Sequence, residues 1–144
     1  MKKALLLLLP FLFVSCTNKS GEVMTDSKMD ISMKLYIDDL LIEDVTWEDN
    51  DSVHALSQLA ENILTINMHE YGGFEQTGLI GQSIPRKDKQ INVNPGDIVL
   101  YNGNQISVFY NPSSWSYTKL GHINLSNDKI NELLNKESVV FALK

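Results

Sequence analysis

One cysteine and one arginine are all that 144 residues hold of those types, and glycine and proline are sparse. Each shortage excludes something. A lone Cys16 can form no internal disulfide. His54, His69 and His122 fall in separate segments without metal-ligand spacing and have no cysteine pair beside them, so no metal or other cofactor is expected. There is no Gly-rich phosphate loop and no serine in a Gly-x-Ser-x-Gly elbow, so nucleotide and serine-hydrolase chemistry have no support. No apolar run approaches the roughly 20 residues that cross a bilayer. Basic residues are outnumbered too, 12 against 18 acidic ones, for a net charge of −6. An acidic surface repels phosphate backbones, which argues against a nucleic-acid partner.

What is present begins with an address. Lys2 and Lys3 precede an apolar run over residues 4–14 that Pro10 interrupts. A basic start, a short apolar middle and the small Ser15 before a cut site make a secretory signal rather than a membrane span. The stretch Phe13-Val14-Ser15-Cys16 resembles the lipobox of bacterial lipoproteins, with Phe13 where leucine is usual. That resemblance implies cleavage before Cys16, lipidation of its thiol and acylation of the new amino end. The bland alternative is an ordinary signal with an incidental cysteine. Several acyl chains on one residue anchor durably where a single chain does not.

Residues 1–15 are therefore expected to be a removable signal and residues 16–30 a lipidated cysteine with a polar tether. The domain follows over residues 31–144. Without Lys2 and Lys3, 10 basic residues face 18 acidic ones, a net charge of about −8. At about 3.5 Å per residue the tether could hold the domain up to roughly 45 Å from a membrane. Thr17 rather than aspartate after the cysteine favours the outer membrane under enterobacterial-type sorting. The expected place is the bacterial cell envelope, with the domain in the periplasm or at the cell surface. The oligomeric state is not assigned.

The domain reads as many short strands. "ISMKLYI" alternates Ile31, Met33, Leu35 and Ile37 on one face. Asp38-Asp39 reads as a turn and "LLIEDVTW" as a second strand. "NDSVHALSQLAENI" is a helix with Asn50, Asp51 or Ser52 as cap and Val53, Leu56, Leu59 and Ala60 inward. "ILTINMHEY" is a strand with Leu64, Ile66 and Met68 on one side, and Gly72-Gly73 is a turn. Residues 78–94 read as loop with "IPRKDKQ" as an exposed tip. "NPGDIVLY" turns at Pro95-Gly96 into a buried strand, "NGN" is a hairpin turn and "QISVFY" returns. "NPSSWSY" reads as a loop and "TKLGHINL" as a strand. "SNDKINELLNK" is a helix capped by Ser126 or Asn127, with Ile130, Leu133 and Leu134 inward, and "SVVFAL" is a closing strand. The expectation is a mainly β, closed barrel of about eight strands with two short helices.

"WEDNDSVHAL", "YGGFEQTGLIGQSIP", "NPGDIVLYNGNQISVFY" and "YTKLGHI" occur in that order. The set resembles the small bacterial cyclophilin-like proteins, from about Met33 to the end of the chain. The resemblance implies an eight-strand barrel with two helices. It leaves function open, because a fold does not fix a function.

The family name raises peptidyl-prolyl isomerisation, which must lower a barrier of about 18–20 kcal/mol by favouring a twisted amide. In true cyclophilins an arginine on a barrel strand does this beside an apolar pocket. Here Arg86 stands in the charged tip, and the Phe-His-Arg and Phe-x-x-Gln strings are absent, so no catalytic residue is assigned. The acidic run Glu43, Asp44, Glu48, Asp49 and Asp51 lacks calcium-loop spacing and reads as a solvated edge with a helix cap. Glu75 is an acid or base if buried, or an acceptor of backbone N–H bonds in the Tyr-Gly-x-x-Glu turn.

The aromatics Tyr71, Phe74, Tyr101, Phe109, Tyr110, Trp115 and Tyr117 fall near strand ends and in loops, where they either recognise a ligand or seal the barrel. Trp115 and Tyr117 are expected on a loop over the barrel wall. The candidate ligand-binding set is Tyr71, Glu75, Tyr101, Phe109, Asn111, Trp115 and Tyr117. The expected role is a lipid-anchored binding module for an extended peptide or small molecule. An envelope prolyl isomerase and a structural subunit of an envelope assembly are the alternatives.

Overall fold

The computed structural model describes residues 31–144. The signal, Cys16 and the tether lie outside the described residues. Ten strands and two helices follow in the order β1 (Leu35–Ile37), β2 (Leu40–Ile42), β3 (Val45–Trp47), α1 (Asp51–Ala60), β4 (Leu64–Tyr71), β5 (Glu75–Leu79), β6 (Lys89–Val93), β7 (Asp97–Tyr101), β8 (Gln105–Phe109), β9 (Ser113–Ile123), α2 (Asn127–Leu134) and β10 (Ser138–Leu143). The strands form one antiparallel sheet, β2-β1-β10-β4-β5-β8-β7-β9-β3, with β6 added to the first half of β9. It curls into a nearly closed barrel.

The turns follow from local chemistry. Asp38 and Asp39 both take positive φ, which a two-residue hairpin loop demands, and they pair Ile37 with Leu40. Asn102 and Gly103 also take positive φ, in the three-residue loop that pairs Tyr101 of β7 with Gln105 of β8. Asn50 caps α1 by accepting from the Val53 amide at 2.9 Å, and Ser126 caps α2 through Lys129.

The core fills the barrel. Alternate residues Ile66 and Met68 of β4, Ile98 and Leu100 of β7, and Ile106 and Val108 of β8 meet Leu56 of α1 and Leu134 of α2. Gln76 of β5 faces this side and is fully buried. Its Nε2 donates to the Leu134 and Lys136 carbonyls at 2.9 and 2.7 Å, which gives the carbonyls at and just past the end of α2 the donor a helix C-terminus lacks.

The other face of the same strands is also covered. Val99 of β7, Phe109 of β8, Tyr117 of β9 and Val93 of β6 form a second, smaller cluster. Residues 97–100 are therefore buried on both faces, which is why the "IVL" after Asp97 runs apolar without alternation.

Three expectations change. The strand count is ten rather than about eight. "LLIEDVTW" splits into β2 and β3, the two ends of the sheet path, with Glu43-Asp44 crossing the seam. The stretch read as loop over residues 78–94 contains the end of β5 and all of β6, and "SSWSY" is the start of β9, paired with β6 from Lys89↔Tyr117 to Val93↔Ser113. "SVVFAL", the closing strand, is β10 and lies between β1 and β4.

Candidate functional site

The second face carries a concavity. Its floor comes from β5 and β8, where paired residues share a face: Glu75 lies opposite Phe109 and Thr77 opposite Ser107. One wall is β9, on which Ser113, Trp115 and Tyr117 alternate toward the cavity. Tyr101 at the end of β7 and Tyr71 with Phe74 at the β4–β5 turn close the sides. The enclosed volume is about 380 Å³, the lower end of the range for small-molecule sites.

Five of the seven candidate residues line it: Tyr71, Glu75, Tyr101, Trp115 and Tyr117. Phe109 lies underneath, fully buried, stacked on Phe74 at 6.3 Å and edge-on to Tyr117 at 5.6 Å. It shapes the floor without reaching the cavity. Asn111 lies outside it and donates to the Gly73 carbonyl at 2.8 Å, which holds the β4–β5 turn. Trp115 sits on a strand, not a loop, and is 57% exposed, while Tyr71 is 63% exposed. Two large rings with that much apolar surface in water, on one rim, form the kind of face that recognition uses.

Polar groups converge at the bottom. Gln105 donates to the Thr77 hydroxyl, and Thr77 and Ser107 share a hydrogen bond of 2.9 Å. Glu75 is 7% exposed, and its Oε2 has no hydrogen-bond partner. Burial pushes the Glu75 carboxyl up to about 7; the Ser107 hydroxyl opposes this and the charge of Glu70 adds to it. Tyr117 is raised as well, by burial first and then by the Glu75 charge.

Glu75 does not supply acceptors to the turn. Glu70 does, taking the Gly73 amide and, at 2.8 Å, the Tyr110 hydroxyl. The structure thus gives the turn role to the neighbouring carboxylate and leaves Glu75 on a strand, aimed into the cavity.

Thr77, Gln105 and Ser107 were not among the sequence candidates. For two of them the signal existed: in "QISVF" Gln105 and Ser107 alternate with the buried Ile106 and Val108 and so share the face of Phe109. Phe74 stood among the aromatics without entering the candidate set.

Arg86 is elsewhere. Its Nη1 donates to the Asn102 Oδ1 at 2.9 Å and its Nε lies 3.6 Å from Asp88. It borders a wider cleft of about 780 Å³ whose charges, among them Asp51, Asp97 and Lys119, are mixed in sign. The histidines stay apart: His54 bonds Asp49 and His122 bonds Asp97, each at 2.7 Å, and His69 is exposed on β4. Among the described residues no three His, Cys, Asp or Glu side chains gather as a metal site.

A model of the cyclophilin-like family matches residues 42–144. No curated protein and no solved structure matches the chain.

Proposed function

The chain belongs to the cyclophilin-like family, and we propose that it is a binding module whose ligand, a small molecule or a single side chain of a peptide, sits in the cavity over Glu75. One observation carries this reading: exposed Trp115 and Tyr71 rim a cavity whose floor holds a buried carboxylate oxygen without a partner. An orphaned buried acceptor costs about 1–3 kcal/mol, which a ligand donor recovers. The aromatic walls supply apolar contact and the Gln105–Thr77–Ser107 chain fixes orientation.

The second half of the proposal is placement. Cleavage before Cys16 and lipidation of its thiol hold the module on the bacterial envelope, with residues 17–30 as spacer. The support is the signal-like run and the lipobox-like Phe13-Val14-Ser15-Cys16. In a bacterial host, Cys16→Ser should release the protein from the membrane fraction; unchanged partition in that variant would remove the lipid anchor from the account.

Prolyl isomerisation is tested alongside. Arg86 is occupied by Asn102 and Asp88 on a surface of mixed charge, so a proline-turnover assay is expected to show no Arg86-dependent rate. Catalysis lost in Arg86→Ala would replace the binding module with a foldase.

A further inference from the structure

Resting on the reading of this cavity as a binding site, we infer that its ligand is an organic ammonium ion, an aromatic or aliphatic primary amine in its protonated form, held by Glu75 beneath the rings. Three observations converge. Among the described residues Glu75 is the one charged residue that lines the cavity, and no described lysine, arginine or histidine lines it. The Glu75 Oε2 is buried without a donor. The surrounding rings are those of Tyr71, Tyr101, Trp115 and Tyr117, and the electron-rich faces of such rings attract cations within about 6 Å.

An anion entering here would meet a carboxylate and no counter-charge. A neutral alcohol would find a hydrogen-bond partner but no use for the rings' electrostatics. An N–H-bearing cation uses both. Its N–H groups satisfy the orphaned oxygen with a charge-assisted bond, and its charge lies against the aromatic faces. The acidic balance of the chain, 18 acidic against 12 basic residues, draws such a ligand in.

A pH signature follows. Glu75 binds an ammonium ion only after losing its proton, and burial keeps that proton on to about pH 7. Affinity therefore rises with pH across neutrality. The other groups near Glu75 do not reproduce this. From β4, His69 shares its face without lining the cavity, Tyr71 is a phenol on the rim, and Glu70 lies on the opposite face, bonded to Tyr110. Tyr101 of β7 and Tyr117 of β9 are phenols, and Tyr117 is raised rather than lowered. Lys89 of β6 pairs with Tyr117 in register but lines the other cleft.

The experiment uses the full chain in a neutral detergent and three probes of one shape: phenethylammonium, 2-phenylethanol and 3-phenylpropionate. Binding is read from amide and indole NMR shifts at Trp115. The expected order is ammonium first, alcohol weaker by about tenfold, and carboxylate last. Between about pH 5.5 and about pH 8.5 the ammonium affinity should rise about ten- to thirtyfold, and in Glu75→Gln that rise should vanish and the preference for the ammonium over the alcohol should collapse.

Alcohol or carboxylate binding as tightly as the ammonium, with no effect of Glu75→Gln, overturns the inference and leaves the cavity as a binding site. Silence of Trp115 toward all three overturns both.

Discussion

The Tyr110 hydroxyl donates to Glu70 Oε1 at 2.8 Å, and that bond separates two carboxylates that lie close in sequence and on neighbouring strands. Glu70 also accepts the Gly73 amide, so its charge is held at the turn. Glu75, on the opposite face, keeps one oxygen unpartnered. One acid builds the turn; the other is left available to a ligand.

The cost of that arrangement should be visible in stability. A carboxyl raised from 4.5 to about 7 keeps its proton in the folded state after the unfolded chain has lost it. Its contribution to stability is full below about pH 4.5 and is lost as pH rises through about 7. Glu75→Gln removes the ionisation. The variant should be more stable than the parent by roughly 1–3 kcal/mol near pH 8, with the gap closing toward pH 5. Urea midpoints at the two pH values measure it, and a gap independent of pH would contradict it.

Tyr110 offers a spectroscopic check. Burial, the bond to Glu70 and its charge push the phenol up to about 12. Absorbance titration of tyrosinate should show late ionisation, to which the raised Tyr117 also contributes, and Tyr110→Phe should delete the last step. Loss of the donor to Glu70 should cost about 1–2 kcal/mol.

Gln76 tests how α2 is fastened. Its buried amide serves two carbonyls at the end of that helix. Gln76→Ala should cost about 2–3 kcal/mol and raise amide exchange over residues 127–136 first. Exchange that accelerates uniformly through the barrel would show that the amide does not fasten α2 in particular.

Trp115 separates function from folding. It is more than half exposed and pairs across strands with Ile91. Trp115→Ala should change stability by less than about 1 kcal/mol while weakening ligand binding about tenfold.

The parts of this fold legible in the sequence are those whose residues obey the burial pattern. β1, β4, β7, β8 and both helices carry apolar residues at the right period, and Asp38-Asp39, Gly72-Gly73 and Asn102-Gly103 mark their turns. β5, β6 and the start of β9 were not legible. "EQTGL" buries a glutamate and a glutamine, "KQINV" has one fully buried residue, and "SSWSY" is serine-rich with its tryptophan in water. Intrinsic strand preference is weak in such segments, and pairing with distant partners decides them. These are also segments that face or border the cavity. Polar residues that face a cavity break the pattern that identifies a strand, so the candidate site is the least readable part of the domain. The aromatic rings were noticed because of their type, whereas Thr77, Gln105 and Ser107 needed the register.

The most direct test of the cavity as the binding site is amide chemical-shift mapping of the full chain with a small set of ring compounds, charged and neutral. The account predicts that the largest changes fall on Thr77, Gln105, Ser107, Trp115 and Tyr117. Changes confined to Arg86, Asp88 and Lys119, or none at any concentration, would contradict it.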